Sequence, residues 1–373
     1  MSEKAGSQKA EDPSDAKSAS PVARSSDTEA SDAEASDIEA IECFDSIERF
    51  DPHPLWPGGV MQTLSIKAIR CELDPENDPR TTPLDVPDDQ TPPDTLSGFL
   101  MRPDTPSPLP LVLLLHGMGG HALAGYMRSA AETLLTAGHP VLLWNNRGAG
   151  GSARNCRGLH HPGYTDDLQR LLEHLDEQHP RWSENGIYAL AFSLGANLLL
   201  RYLGEYGDDS KIAAAVSVSA PIDMERTSRQ LRSGLNRIFD RYLLYRQREE
   251  LLRDNADVSD EERETIRNVR SVWDLDDSFT APRFGFDSAD EYYARNSAVH
   301  VLDGVRKPTV LIHSKDDPVV DPKVFDQFEF QPGGPLFPAR IDSGGHTGFY
   351  AKDGSRWHEG AGVSFFRWAA KNR

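Results

Sequence analysis

Residues 186–200 read Gly-Ile-Tyr-Ala-Leu-Ala-Phe-Ser-Leu-Gly-Ala-Asn-Leu-Leu-Leu, with Ser193 at the centre. The first half is a short apolar run bounded by Gly186 and polar residues, the pattern of a strand buried on both faces. From Leu194 onward apolar side chains recur at helical spacing as far as Arg201 and Tyr202. Strand, sharp turn and helix with a Ser at the apex is the context in which small-x-Ser-x-Gly marks an exposed nucleophile. Small residues on either side let the strand and helix backbones approach. The helix start leaves the Leu194 N–H free to face an oxyanion formed at the Ser. The first small residue is Ala191 where Gly is usual, which adds one methyl to the turn. Alone, the pentapeptide also fits an ordinary tight turn, so the rest of the chain must decide.

On both sides of this stretch, apolar strands alternate with helices. Strands are predicted at Pro110–Leu115, Pro140–Asn145, Ile212–Ser219 and Pro308–Ile312, and helices at Tyr126–Thr136 and Asp166–Gln178. That alternation predicts an α/β fold with a mainly parallel sheet and flanking helices, whose ligands sit at the carboxyl ends of the strands. Further upstream, Leu64–Leu73 and Thr95–Arg102 alternate well enough for strands, with a polar stretch, Asp74–Asp94, between them. A short strand near Arg340–Asp342 and a helix over Gly360–Ala370 close the chain.

The pattern changes between Pro221 and Ala298, where helices occur without a convincing strand. One is amphipathic through Leu231, Leu235, Ile238, Phe239 and Tyr242, and another starts at the capping box Ser259–Glu262. The expected organisation is therefore a core in two parts, 41–222 and 299–373, an inserted helical cap over 223–298, and an acidic tail over 1–40. The cap carries Arg226, Arg229, Arg232, Arg237 and Arg241. They read either as a solvated face or as a cationic rim for anionic substrates or a lipid interface.

Composition narrows the class. The 373 residues carry a formal charge of −19, and the first forty, with three copies of Ser-Asp-x-Glu-Ala from Ser26 to Ala40, hold −6 of it. So few apolar residues cannot offset the entropy of ordering the tail, which is expected to be disordered. The remaining −13 argues against binding nucleic acid, or an anionic membrane through bulk charge. Three widely spaced cysteines (Cys43, Cys71, Cys156) are not a disulfide framework. The adjacent His160 and His161 lack a third ligand for a metal. No apolar leader and no membrane-length apolar run is present, so a cytoplasmic protein is expected, with peripheral membrane contact left open.

Ser193, Asp317 and His346 follow one another in the chain, each just after a strand, in the order nucleophile, acid, histidine. A Ser hydroxyl is a poor nucleophile at neutral pH and needs a base within hydrogen-bond reach. A His can take its proton and return it to a leaving group, provided a carboxylate fixes the imidazole tautomer. Asp317 is the expected acid and its neighbour Asp316 the alternative. His116-Gly-Met-Gly-Gly120 supplies a second loop, from which the Met118 N–H is expected to face that of Leu194 across the oxyanion. Each pattern alone is weak; together, in this order and at strand ends, they point to acyl transfer through a Ser.

The same residues resemble the YheT-like branch of the α/β-hydrolases. Gly59-Val-Met-Gln-Thr63 is similar to that family's Gly-x-x-Gln-Thr, and Asn146-Arg-Gly148 to its Asn-x-Arg-Gly turn. The stretch Phe192–Asn197 with Tyr202–Glu205 is similar to its nucleophile turn and helix. Asp276–Pro282, Ile312–Pro318 and Gly344–Phe349 extend the likeness, which spans roughly residues 50–368. The resemblance implies a Ser–Asp–His hydrolase of carboxylic esters with a helical cap and no cofactor, its triad falling on Ser193, Asp317 and His346. Rival expectations keep the site with another acceptor, as an acyltransferase or thioesterase, or keep the fold as a binding protein without turnover.

Overall fold

A computed structural model describes residues 49–372; the expected acidic tail and Cys43 lie outside them. Eight strands form one sheet: β1 (Thr81–Pro87), β2 (Thr95–Met101), β3 (Leu111–Leu115), β4 (Val141–Trp144), β5 (Ile187–Phe192), β6 (Ile212–Val218), β7 (Thr309–Ser314) and β8 (Leu336–Ile341). Their spatial order is β1-β2-β4-β3-β5-β6-β7-β8. The six strands from β4 to β8 run parallel, and β1 and β2 join antiparallel at one edge.

The central strands are apolar along their whole length because both faces are covered. On β3, Leu111, Leu113 and Leu115 pack with leucines of α3 (Asp166–Gln178) and α4 (Leu194–Tyr206). Val112 and Leu114 face the opposite way. They pack with Met127 and Leu134 of α2 (Gly125–Thr136) and with Phe365 and Phe366 of α9 (Trp357–Lys371).

Two upstream expectations are corrected. Leu64–Leu73 is not a strand: α1 (Gly58–Ser65) runs into a 3₁₀ turn, Ile66–Ala68. Its alternation came from unrelated demands, since Leu64 is exposed while Ile66 faces a cavity. The polar stretch Asp74–Asp94, by contrast, contains β1. That strand is at the sheet edge, buries only Leu84 and Val86, and accommodates Pro83 and Pro87 as edge positions can.

Between β6 and β7 the described chain holds helices and turns and no strand. These include α5 (Met224–Leu231), α6 (Arg237–Leu251), α7 (Asp260–Asn268) with the capping box at Ser259, and α8 (Ala289–Asn296). The single amphipathic helix expected through Leu231 and Tyr242 is broken in two. Gly234 takes a positive φ of 49° between α5 and α6, and Leu235 is 84 % exposed rather than packed. Among the described residues no helix is long and apolar enough to cross a membrane.

Candidate active site

At the carboxyl end of β5 the backbone of Ser193 has φ 51° and ψ −122°, a conformation that non-glycine residues rarely hold. The turn is fixed from both sides. The Ser193 N–H bonds the Val218 carbonyl on β6 (2.8 Å), and the Ser193 carbonyl accepts from Ala196 as α4 begins (2.9 Å). Of its two small neighbours, Gly195 is the one the packing requires, because a Cβ there would overlap the His116 carbonyl. Ala191 is fully buried in β5 between Leu115 and Ser217, so its methyl is accommodated.

Two loops complete the arrangement. His346 Nε2 lies 2.8 Å from Ser193 Oγ, and His346 Nδ1 lies 2.9 Å from Asp317 Oδ2. The structure thus brings the three residues into one relay, with Asp317 rather than Asp316 on the imidazole. Asp317 is buried, and its Oδ1 accepts the N–H groups of Val319 (2.8 Å) and Val320 (2.9 Å). Burial pushes its carboxyl upward, but the His346 ring, His313 and the Val320 N–H outweigh that and hold it below the ordinary carboxylate range. Asp316 has a different task. It accepts from Ser314, from Ser343 Oγ (2.9 Å) and from the Gly345 N–H (2.9 Å), so it fastens the turn that carries His346.

The loop after β3 approaches from the other side. A Cβ on Gly117 would press on the Ser193 side chain, which places the loop against Ser193. The Gly117 N–H donates to Tyr126 Oη (3.1 Å), His116 Nδ1 lies 2.8 Å from the Gly117 carbonyl, and the Asn146 N–H donates to His116 Nε2 (3.1 Å). Met118 follows directly, and both Met118 and Leu194 line the cavity at Ser193.

Sequence reasoning missed α1 as part of the site. The His346 N–H donates to Thr63 Oγ1 (2.8 Å), while Gln62 accepts the Tyr350 N–H and donates to the Trp56 carbonyl. Gly59 and Gly345 meet almost backbone to backbone, and a Cβ on Gly59 would overlap the Asp316 carbonyl. The Gly-x-x-Gln-Thr pattern was visible in the sequence, but nothing local says that it supports a histidine nearly 290 residues away.

The relay opens on a cavity of about 660 Å³ beneath α5 and α6. Its walls include Met224, Leu231, Phe239, Leu243, Val319 and Val320. Other candidates fall elsewhere. The His161 ring packs against Phe284, Phe286 and Tyr292, and His160 is half-buried beside it. The Cys156 thiol is pushed up to about 11 by burial and donates to the Thr95 carbonyl, which keeps it protonated. Of Arg226, Arg229, Arg232, Arg237 and Arg241 none lines the cavity. Arg229 pairs with Glu225, and Arg232 stacks on Trp273.

A doubly wound sheet with a serine turn after its fifth strand, an acid after its seventh and a histidine after its eighth defines a class. The chain belongs to the α/β-hydrolase family, whose model matches residues 110–353. Within that family it falls in the YheT-like branch. It is 30 % identical over 249 residues to YheT of Escherichia coli, covering 64 % of this chain and 70 % of that one. Two Saccharomyces cerevisiae proteins are similar as well. They are named monoacylglycerol lipase (30 % identical; 67 % of this chain, 57 % of that one) and medium-chain fatty acid ethyl ester synthase/esterase 2 (32 %; 69 % and 62 %). The chain thus spans about three fifths of the length of these two relatives. Among solved structures, the Pyrococcus furiosus esterase Pf2001 superposes with a TM-score of 0.53 at 18 % identity, over 86 % of this chain and 98 % of that one, a likeness of fold.

Proposed function

We propose that the protein is a serine hydrolase of carboxylic esters that works through an acyl-enzyme. The observation that carries this reading is the unbroken relay from Ser193 Oγ through the His346 imidazole to Asp317, opening on a largely apolar cavity. Ser193 Oγ attacks the ester carbonyl carbon while His346 Nε2 takes its proton, and Asp317 holds Nδ1–H and stabilises the imidazolium. The N–H groups of Met118 and Leu194 receive the negative charge that develops on the carbonyl oxygen. His346 then protonates the departing alcohol, and a water activated by the same imidazole releases the acid.

The names of the yeast relatives support a fatty acyl substrate, and the ester synthase among them supports a second reading in which an alcohol replaces water in the last step. The free thiols of Cys71 and Cys156 fit a cytoplasmic setting. We read the helices between residues 223 and 298 as a cap inserted into the hydrolase core.

Ser193→Ala tests the core of this reading. Turnover of p-nitrophenyl esters should fall on the order of 10⁶-fold, about 8 kcal/mol of transition-state stabilisation, with the protein still folded. A fluorophosphonate should label the wild type and not the variant. Unchanged hydrolysis in the variant would remove the proposal. Raising the alcohol concentration separates the two readings, because only an acyltransferase diverts most of the acyl group to new ester.

A further inference from the structure

The cavity at Ser193 has two chemically different walls. Beneath α5 and α6 it is apolar, with Met224, Leu231, Phe239 and Leu243. Toward α1, the loop after β3 and α2 it carries Lys67 and Arg128 together with His121, set among Leu64, Ile66 and Ile69, and Arg246 reaches over to this side from α6. Among the described residues lining the cavity, Asp276 is the one carboxylate. It is buried, bonded to Tyr293 Oη (2.7 Å) and pushed up to about 6 by that burial.

The three cations are only partly engaged. Arg246 reaches from α6 to the Gly119 carbonyl through Nε (3.2 Å) and Nη2 (2.8 Å), and Glu249 takes Nη1 (2.9 Å). Arg128 donates Nη1 to the Leu73 carbonyl (3.0 Å), while its Nε is buried with no partner among the described residues. Lys67 sits 4.3 Å from the centre of the Tyr242 ring and bonds its hydroxyl, leaving N–H donors over. The His121 imidazole is held below its ordinary value by burial and by the nearby Arg246 and Arg128.

The cationic wall lies close to the reacting atoms. Gly117 abuts Ser193 and Gly119 abuts Arg246, and two residues of chain span about 7 Å at most. A substrate whose ester carbonyl sits at Ser193 therefore brings its non-acyl part within reach of Arg246, and Tyr242, one turn before Arg246 on α6, holds Lys67. Three cations line one cavity in a chain of net charge −19, and only Arg246 among them is in ion-pair contact with a carboxylate, Glu249, among the described residues. Guanidinium and ammonium donors left over in this way are matched by phosphate or carboxylate oxygens, with which they form charge-assisted hydrogen bonds.

We propose that the wall formed by Lys67, Arg128 and Arg246 is a subsite for an anionic group, a phosphate or carboxylate, carried on the non-acyl part of an amphiphilic ester whose acyl chain occupies the apolar wall. This assignment rests on the reading of Ser193 as the group that receives the acyl chain. The selectivity comes from the cavity lining and not from Arg226, Arg229, Arg232, Arg237 or Arg241, none of which lines it.

Binding to the Ser193→Ala protein tests it without turnover. Calorimetric titrations would compare decyl phosphate, 1-decanol and inorganic phosphate, all below micelle-forming concentrations. Decyl phosphate should bind about tenfold or more tightly than 1-decanol, and the preference should shrink as salt rises. Lys67→Gln and Arg128→Gln should each reduce that preference several-fold, whereas Arg229→Gln on the outer face of the cap should leave it unchanged. Equal affinity for decyl phosphate and 1-decanol would overturn the proposal. So would inorganic phosphate binding as tightly as decyl phosphate, which would mean that no chain is engaged. A wild-type protein that hydrolyses no ester, yet prefers decyl phosphate in this assay, would sink the hydrolase reading and leave the anionic subsite standing.

Discussion

Two sites of buried charge follow strands of the parallel part of the sheet, Arg147 after β4 and Asp317 after β7, and they are built to opposite ends. After β4, Arg147 is 3 % exposed and holds three acids at once. Its Nη1 bonds Asp88 Oδ2 and Asp94 Oδ2 (both 2.8 Å), and its Nε and Nη2 bond Asp167 Oδ2 (3.0 Å) and Oδ1 (2.6 Å). The acids are themselves tied down: Asp94 accepts from the N–H groups of Arg157 and Gly158, and Asp88 from those of Gln90 and Asp94. After β7, Asp317 is as deeply buried, but its partner is an imidazole that can be neutral or charged. A guanidinium never gives up its proton in such a setting, so the first cluster can only hold structure. The second keeps a proton that moves, and moving it is what the proposed chemistry requires.

The sharpest way to break this contrast is Asp317→Asn. An amide oxygen can still accept from Val319 and Val320, but its NH₂ then faces His346 Nδ1 and forces the wrong tautomer. Turnover should fall about 10⁴-fold while the thermal midpoint moves little. If stability collapsed and the surviving folded fraction kept its turnover, Asp317 would be structural like the acids around Arg147.

Arg147→Met is the converse experiment. Removing the guanidinium leaves Asp88 and Asp94 without their buried counter-charge and Asp167 with only the more distant Arg170 (3.6 Å), and unfolding in urea should show a loss of about 3–5 kcal/mol. The fraction that remains folded should keep its turnover per molecule, because Arg147 does not line the cavity at Ser193. Loss of turnover with unchanged stability would mean that the two clusters are coupled.

The sequence legibility of the two regions also differs, for a physical reason. The serine turn, the His-Gly-x-Gly-Gly loop and the strand ends are local patterns, each set within a few residues by backbone geometry, so they can be read directly. Asp317 against Asp316 stayed open because adjacent residues on one turn differ only in the direction their side chains leave it. The structure sends Asp316 toward Ser314, Ser343 and Gly345 and Asp317 toward the imidazole. The cluster around Arg147 draws on residues 88, 94 and 167, and the support of His346 draws on Gly59 and Thr63. Such contacts exist only after folding, and no periodicity announces them. The cationic cavity wall was missed for the same reason, since Lys67, Arg128 and Arg246 come from three separate elements. The cap arginines that did stand out share a short stretch of chain, which is why they were visible and why most of them face outward.

A third site, with a single buried carboxylate, refines the comparison with the smallest expected effect. Glu359, in the first turn of α9, is 5 % exposed and accepts a hydrogen bond from Thr133 Oγ1 (2.7 Å), but among the described residues no cation is in ion-pair contact with it. Burial lifts its carboxyl to about 7, with the Thr133 and Ser129 hydroxyls and Arg356 pulling the other way. The sign of its linkage is opposite to that of Asp317. Asp317, held low, supplies stability above the ordinary carboxylate range and loses it on acidification. Glu359 binds its proton more tightly folded than unfolded, so its contribution is fully present below the ordinary glutamate range and is lost as pH rises to about 7. Glu359→Gln keeps the shape and an acceptor for Thr133 and removes the titration. Its stability relative to wild type, from urea midpoints at about pH 5 and about pH 8, should improve toward the higher pH by on the order of 1 kcal/mol. A difference that stayed constant across that window would mean that the carboxylate is charged throughout. Its environment would then resemble that of the acids on Arg147, and burial alone would not separate the three sites.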